Sequence, residues 1–345
     1  MESSKTKSDG RWRGRVNLIS LSGAYLMGVI VAYVLLCTLG DRWWVATAGL
    51  LFGPRWLLAL PALPLLPLCI LKRRRALWLL LPALLLLVFG VLGFNVPLGN
   101  LLRSAPAAGV PARMRVITCN VHHRSLDAAA FNALLAETSP DIVLLQEWTS
   151  QDAPAFGWNA DWHFRRDGEF YLASRYPIAS GELVRLPGIQ PEEMAACYLL
   201  DLGGRSVRVY NVHLKSPHKA FEALLGGKEP AQELIDANSR ERDLQSWCLR
   251  AAAEKSTEPV LLAGDFNTPN ESAVFQRHWS AFTDAFTQAG VGIGNTYYSR
   301  RIGMRIDHIL TGPGWICRAC RVCADVGSAH RPVVADILWR AAASK

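Results

Sequence analysis

Seven polar residues stand where short apolar runs end: Asn120 in TCNVHH, Glu147 in LLQEW, His213 in YNVHL, Asp265 and Asn267 in AGDFNTP, Asp307 in RIDHIL and His330 in GSAHRPV. Carboxylates and carboxamides are the donors that a hard divalent cation such as Mg²⁺, or Mn²⁺, takes. Imidazoles, together with Arg175, Arg305 and Arg331, suit an anionic phosphate group. The chemistry this inventory could do is metal-assisted hydrolysis of a phosphate ester.

The runs that carry these residues read as strands: Met114–Thr118, Ile142–Leu145, Phe170–Ala173, Val207–Val212, Val260–Ala263, Ile306–Leu310 and Pro332–Ile337. Between them, Leu126–Glu137 has a periodic apolar face, and Ala231–Ala253 is long and amphipathic, so both read as helices. Strands and helices mixed in this way, with polar residues at strand ends, predict a layered α/β sandwich whose site lies at one edge of its strands.

In order, these motifs (N, QE, SRYPI, NVHL, GDFN, RIDHIL, HRPV) resemble the endonuclease/exonuclease/phosphatase superfamily, which includes DNase I, AP endonucleases, sphingomyelinases and inositol-polyphosphate 5-phosphatases. The resemblance spans about Arg115 to Leu338 and implies a DNase I-like four-layered α/β sandwich. It further implies that Glu147, with Asn120, holds the divalent metal. Asp265 and Asn267 would orient the attacking water and the phosphoryl oxygens, and His213 would donate to the phosphate. His330 would act as base or transition-state stabiliser, with Asp307 fixing its tautomer. Whether His330 or Asp265 takes the proton stays open. The family pattern has Ser-Asp-His before the last Arg-Pro, whereas this chain has Ser328-Ala329-His330. The missing carboxylate implies a weaker or single metal.

Charge divides the chain. Of its 345 residues, 1–115 hold 14 Lys and Arg against 3 Asp and Glu, and the remainder 23 against 26. The net of +8 therefore sits outside the part with the chemistry, and gives no support for a nucleic-acid partner. Residues 1–103 read instead as a membrane region with spans at 16–40, 46–71 and 76–98, each near the roughly 20 residues a bilayer core requires. The middle one is interrupted by Arg55 and four prolines. Basic clusters at 5–15 and 72–75 predict a cytoplasmic N-terminus. With three spans this is a multi-pass cell-membrane protein whose catalytic domain, 114–345, lies outside the cytoplasm behind a linker at 104–113.

Each residue also has an ordinary alternative. Asp265 and Asn267 could cap a turn after a strand. His122, His123, His163, His218 and His278 lack motif context and read as surface or core residues, and Trp148 and Trp162 as packing. Cys317, Cys320 and Cys323 read as a buried strand rather than a metal ladder, and no spacing specifies a disulfide. Arg300-Arg301 could be a solvated turn or a phosphate clamp. The expected activity is that of a membrane-tethered phosphoesterase acting on nucleic acid, or on a lipid or small-molecule phosphodiester, with no obligate protein partner. A non-enzymatic membrane-anchored binding module is the alternative.

Overall fold

The computed structural model describes residues 17–101, 113–122, 126–149, 156–186, 193–227, 230–299 and 302–339. The basic tail at 5–15, nearly all of the linker, His123 and Arg300-Arg301 lie outside these residues.

Among the described residues, fourteen strands form two six-stranded sheets and one hairpin. They are β1 (Arg113–Asn120), β2 (Ile142–Gln146), β3 (His163–Asp167), β4 (Phe170–Ser174), β5 (Ile178–Arg185), β6 (Glu193–Asp201), β7 (Ser206–His213), β8 (Val260–Asp265), β9 (Thr283–Asp284), β10 (Tyr297–Ser299), β11 (Ile302–Met304), β12 (Asp307–Thr311), β13 (Trp315–Val322) and β14 (Val333–Trp339). The first sheet runs β13-β14-β1-β2-β4-β3, the second β5-β6-β7-β8-β12-β9, and β10 pairs with β11. Each sheet holds one parallel pair at its centre, β1 with β2 and β7 with β8. Parallel neighbours need a crossover. Helix α1 (Ala128–Thr138) supplies the first, and helices α2 (His218–Leu225) and α3 (Ala231–Glu254) supply the second. Helix α1 starts where the Asp127 carboxylate accepts the free N–H groups of Ala129 and Ala130.

The period-2 alternation of the strands sorts their side chains into three apolar layers. Met114 and Val116, Ile142 and Leu144, Val207 and Val209, and Leu261 and Ala263 meet between the sheets in one core. Ile117, Cys119, Val143 and Leu145 point the other way and pack under Phe131 and Leu134 of α1. Tyr210, Val212 and Leu262 pack under Leu249 of α3 and under Phe275 and Trp279 of α4 (Ala273–Trp279). Helix, sheet, sheet and helix make the four-layered α/β sandwich.

The inward series do not stay apolar. Continued by two residues at a time, they reach Thr118 and Asn120 on β1, Gln146 on β2, Asn211 and His213 on β7, and Asp265 on β8. Buried polar groups need partners, and here they find them across the gap between the sheets. The Gln146 amide donates to Asn211 Oδ1 at 2.6 Å and to Thr118 Oγ1 at 3.0 Å, and the Asn211 amide donates to the Leu145 carbonyl at 3.0 Å. This bridge ties the two sheets at the point where the core gives way to the polar edge.

Before the sandwich, three stretches among the described residues are long and apolar enough to cross a membrane: Leu18–Leu39, Arg55–Lys72 and Arg74–Val91. The second starts later than residue 46 because the helical turns of 44–51 end at Gly53-Pro54, where Pro54 has no N–H to continue them. The third ends at Val91, and the chain then turns through Gly93 at a positive φ of 69°. The ends of the stretches touch the sandwich. Asp41 accepts the N–H of Val274 on α4 at 3.1 Å, Arg55 pairs with Glu271 at 3.2 Å, and Asn95 and Gly292 exchange backbone bonds of 2.8 and 3.0 Å.

All eight cysteines are free thiols. Cys317 and Cys320 sit in the core on β13, and Cys323 lies buried just beyond it, in keeping with the packing expectation.

Candidate active site

Register brings the polar strand ends together. His213 is paired with Asp265 across β7 and β8, and Asp265 with Asp307 across β8 and β12. Asn120 is paired with Gln146 across β1 and β2, so Glu147 stands just past the same edge. Glu147 takes a positive φ of 56°, which turns the chain sharply out of β2.

The GDFN segment shows why each residue type is needed. At Gly264 φ is 148°, and an added Cβ would lie 2.0 Å from the Val212 carbonyl oxygen, so only glycine lets β8 approach β7 so closely. Phe266 is fully buried against Phe275, Trp279 and His308. With Phe266 anchored, Asp265 and Asn267 turn to the opposite side. Asp265 Oδ1 accepts the Asn267 backbone N–H at 2.8 Å, and Asn267, at φ 48°, donates its amide to the Leu214 carbonyl at 2.8 Å. The turn-capping alternative describes these bonds correctly, yet it leaves the other Asp265 oxygen facing the cluster.

That oxygen, Asp265 Oδ2, is the hub. The Asn120 amide donates to it at 3.1 Å and to Glu147 Oε1 at 2.9 Å. His330 Nε2 lies 3.7 Å from it and His213 Nε2 3.9 Å. His213 Nε2 is also 3.6 Å from Glu147 Oε1. Behind each imidazole stands a carboxylate. His330 Nδ1 meets Asp307 Oδ2 at 2.9 Å, and His213 Nδ1 meets Glu169 Oε1 at 2.5 Å. Burial opposes the charge on His213, but Glu169, Asp265 and Glu147 outweigh it and raise its pKa to about 9. Burial likewise opposes the charge on His330, and Asp307 and Asp265 raise it to about 9. Burial and the neighbouring Asp307 push the Asp265 carboxyl up from the usual range.

All seven residues expected from the sequence are thus in one cluster. Asn120 is turned so that its N–H groups face Glu147 and Asp265, while its oxygen accepts the His122 backbone N–H at 2.9 Å. Two further residues join: Glu169 through His213, and His122, whose ring lies 3.8 Å from Glu147. Of the arginines, Arg305 is spent elsewhere, paired with Asp284 and stacked over Phe286. Arg175 bonds the Pro140 carbonyl and lies over Trp162. Arg331 binds Asp325 at 2.7 Å beside the site. Trp148 and Trp162 pack in the core under α1, and His278 is a buried partner of Asp243.

The profile of the Endonuclease/Exonuclease/phosphatase family matches residues 117–330, well over half of the chain. The chain belongs to the endonuclease/exonuclease/phosphatase family. Several solved structures share its fold. A humanized D. rerio TDP2 carrying 14 mutations superposes with a TM-score of 0.50 at 17% identity, over 65% of this chain and 98% of that one. An endonuclease/exonuclease/phosphatase family protein from Bacteroides thetaiotaomicron gives 0.50 at 15% identity, over 67% and 99%. The endonuclease/exonuclease/phosphatase from Bacteroides vulgatus gives 0.50 at 15%, over 66% and 100%. No curated protein matches the chain in sequence. Membership in the endonuclease/exonuclease/phosphatase family supports a phosphoester hydrolase.

Proposed function

We propose that the chain is a membrane-tethered, divalent-metal-dependent phosphodiester hydrolase whose catalytic domain lies outside the cytoplasm. The observation that carries the chemical part is the hub at Asp265 Oδ2, ringed by Asn120, Glu147 and two carboxylate-backed imidazoles.

A cation fits this donor set. Asp265 and Asp307 are buried side by side, and the ligand atoms of Asp265, Asp307 and His330 lie within 4.8 Å of one another. Burial, and after it the charge of Asp307, make Asp265 costlier to ionise, so positive charge is called for. Glu147, with Asn120 beside it, would hold Mg²⁺ or Mn²⁺, and the ion when bound supplies charge neutralisation to the phosphate. The remaining roles belong to protein groups. His213 and His330, held protonated by Glu169 and Asp307, donate from Nε2 to phosphoryl oxygens. Asp265, its pKa raised toward the working pH, takes the proton of the attacking water at Oδ2. Asn267 keeps Asp265 in register through its backbone N–H, and the Asn120 amide keeps Asp265 and Glu147 a fixed distance apart. The Asp265 assignment favours this residue, rather than His330, as the base.

Two features support the tether. Every bond named above between the membrane-length stretches and the sandwich comes from one end of the stretches, at Asp41, Arg55 and Asn95, whereas Lys72-Arg73-Arg74-Arg75 forms the turn at the other end. A basic turn is retained in the cytoplasm, which leaves the sandwich on the opposite side.

The test is hydrolysis of bis(p-nitrophenyl) phosphate by the full chain in detergent with and without Mg²⁺. Glu147→Ala, Asp265→Ala and His330→Ala should each lower turnover by at least about two orders of magnitude. Wild-type turnover in any of them refutes the role given to that residue, and a folded wild-type protein inert with every phosphoester favours the binding-module alternative.

A further inference from the structure

The ends of the membrane stretches do more than touch the catalytic domain: they pack beside the strand edge that carries its site. Phe52 packs on Phe221 of α2 with ring centroids 5.3 Å apart, and α2 follows the strand that carries His213. The same cluster holds Leu36 and Leu51 against Met304 and Ile306, with Tyr297 packed alongside. Ile306 immediately precedes Asp307, and the Tyr297 ring lies 4.8 Å from that of His330. The cluster that receives the end of the first membrane stretch therefore also receives Tyr297, the ring that packs on the catalytic imidazole.

A second contact fixes what else lies at this level. Asn95, just past the third stretch, pairs with Gly292 in both directions, and its side-chain amide donates to the Phe286 and Gly290 carbonyls at 2.9 and 2.6 Å. The loop held in this way carries Val291, 70% exposed, and Ile293, 42% exposed. Trp56, at the start of the second stretch, is 43% exposed. Ile293 and Trp56 line one crevice of about 180 Å³ with Ile302, which also packs against the cluster that holds Tyr297. Branched aliphatic side chains left uncovered beside the end of a membrane helix, with tryptophan at the same depth, match the bilayer interface as their cover. The acidic balance of the soluble part and the internal use of Arg175 and Arg305 leave little to neutralise the phosphates of a duplex.

We propose that the phosphoester this site hydrolyses is the headgroup ester of a bilayer lipid, admitted over the apolar rim of Trp56, Val291 and Ile293. The proposal rests on the hydrolase reading above and narrows its substrate class. Water adds at phosphorus, the ester oxygen leaves with a proton, and the products are a phosphate-bearing and a hydroxyl-bearing fragment, one of which stays in the membrane.

The experiment uses the full chain reconstituted in vesicles of phosphatidylethanolamine and phosphatidylglycerol. Released water-soluble headgroup and retained lipid product are measured, with bis(p-nitrophenyl) phosphate and plasmid DNA assayed in parallel. The wild type should release headgroup and His330→Ala should not. The double variant Val291→Ser/Ile293→Ser should lose about tenfold or more of lipid turnover, since each residue gives up aliphatic burial in the interface, with bis(p-nitrophenyl) phosphate turnover within about twofold of wild type. Trp56→Ser, on a separate element, should show the same split. Turnover of the soluble diester or of DNA with no lipid product overturns the proposal, as does undiminished lipid turnover in both rim variants. A wild type inert on all three substrates removes the hydrolase reading itself, and this proposal with it.

Discussion

Replacing Glu169 by Gln isolates the electrostatic support of His213. The carboxylate meets His213 Nδ1 at 2.5 Å, and with Asp265 and Glu147 it raises the imidazole pKa to about 9 against the opposing effect of burial. A hydrogen bond between charged groups is worth about 1.5–3 kcal/mol, and a pKa unit corresponds to about 1.4 kcal/mol. The Glu169 side chain is 32% exposed, so solvent screens part of that interaction. The expected fall is about one unit, because Asp265 and Glu147 remain. If the imidazolium is the form that donates to the phosphate, the variant loses activity at lower pH as pH rises, and the basic limb of its kcat/KM profile moves down by the same unit. Stability has a matching sign. A histidine whose folded pKa lies above its unfolded value of 6.5 contributes fully below that pH and loses the contribution as pH rises through about 9. In chelator-treated protein the wild type should therefore exceed Glu169→Gln by about 1 kcal/mol near pH 6, with the gap closing by pH 10. Imidazole resonances followed by NMR give the pKa directly. An unchanged or raised His213 pKa in the variant would refute the assignment of Glu169 as its partner in charge.

Asn211→Ala should cost about 3 kcal/mol, since it strips partners from the Gln146 amide and the Leu145 carbonyl at a fully buried site; a thermal midpoint in detergent within about 2 °C of wild type would show that the bridge between the sheets is dispensable. Ala329→Asp should lower the Mg²⁺ concentration for half-maximal activity by restoring an oxygen next to His330, and a midpoint unchanged or higher means that residue 329 does not face the ion. A reporter fused after Lys345 should be active only outside the cytoplasm, and cytoplasmic activity would reverse the proposed orientation.

What could be read from the sequence depended on how strongly each residue was constrained. GDFN was legible because one segment combines a glycine with no room for a Cβ, a buried aromatic anchor and two polar residues turned outward. Strands such as β2 and β8, buried along their whole length, announced themselves by continuous apolar runs. The edge strands β3 and β5 did not. Neither has a fully buried residue, their sequences HFRRD and IASGELVR carry little apolar signal, and neighbouring strands decide their conformation. Glu169 was invisible for a different reason. It stands in the turn ahead of β4, a position that accepts many polar residues, and only the fold brings it to His213 from 44 positions away. His122 was set aside for want of a motif, although it follows Asn120 by two residues. Arg305 was overvalued, because residue type alone does not say whether a guanidinium is already paired.

The cysteines bear on how the chain matures. Burial lifts the thiols of Cys119 and Cys320 well above their ordinary range, and those of Cys317 and Cys323 to about 12 and about 11. The thiolate is the form that attacks disulfides and oxidants, and in these four buried sulfurs it is disfavoured at neutral pH once the sandwich has closed around them. Cys248 on α3 is the one cysteine of the sandwich that is not buried, so an oxidising medium has a single thiol there within reach.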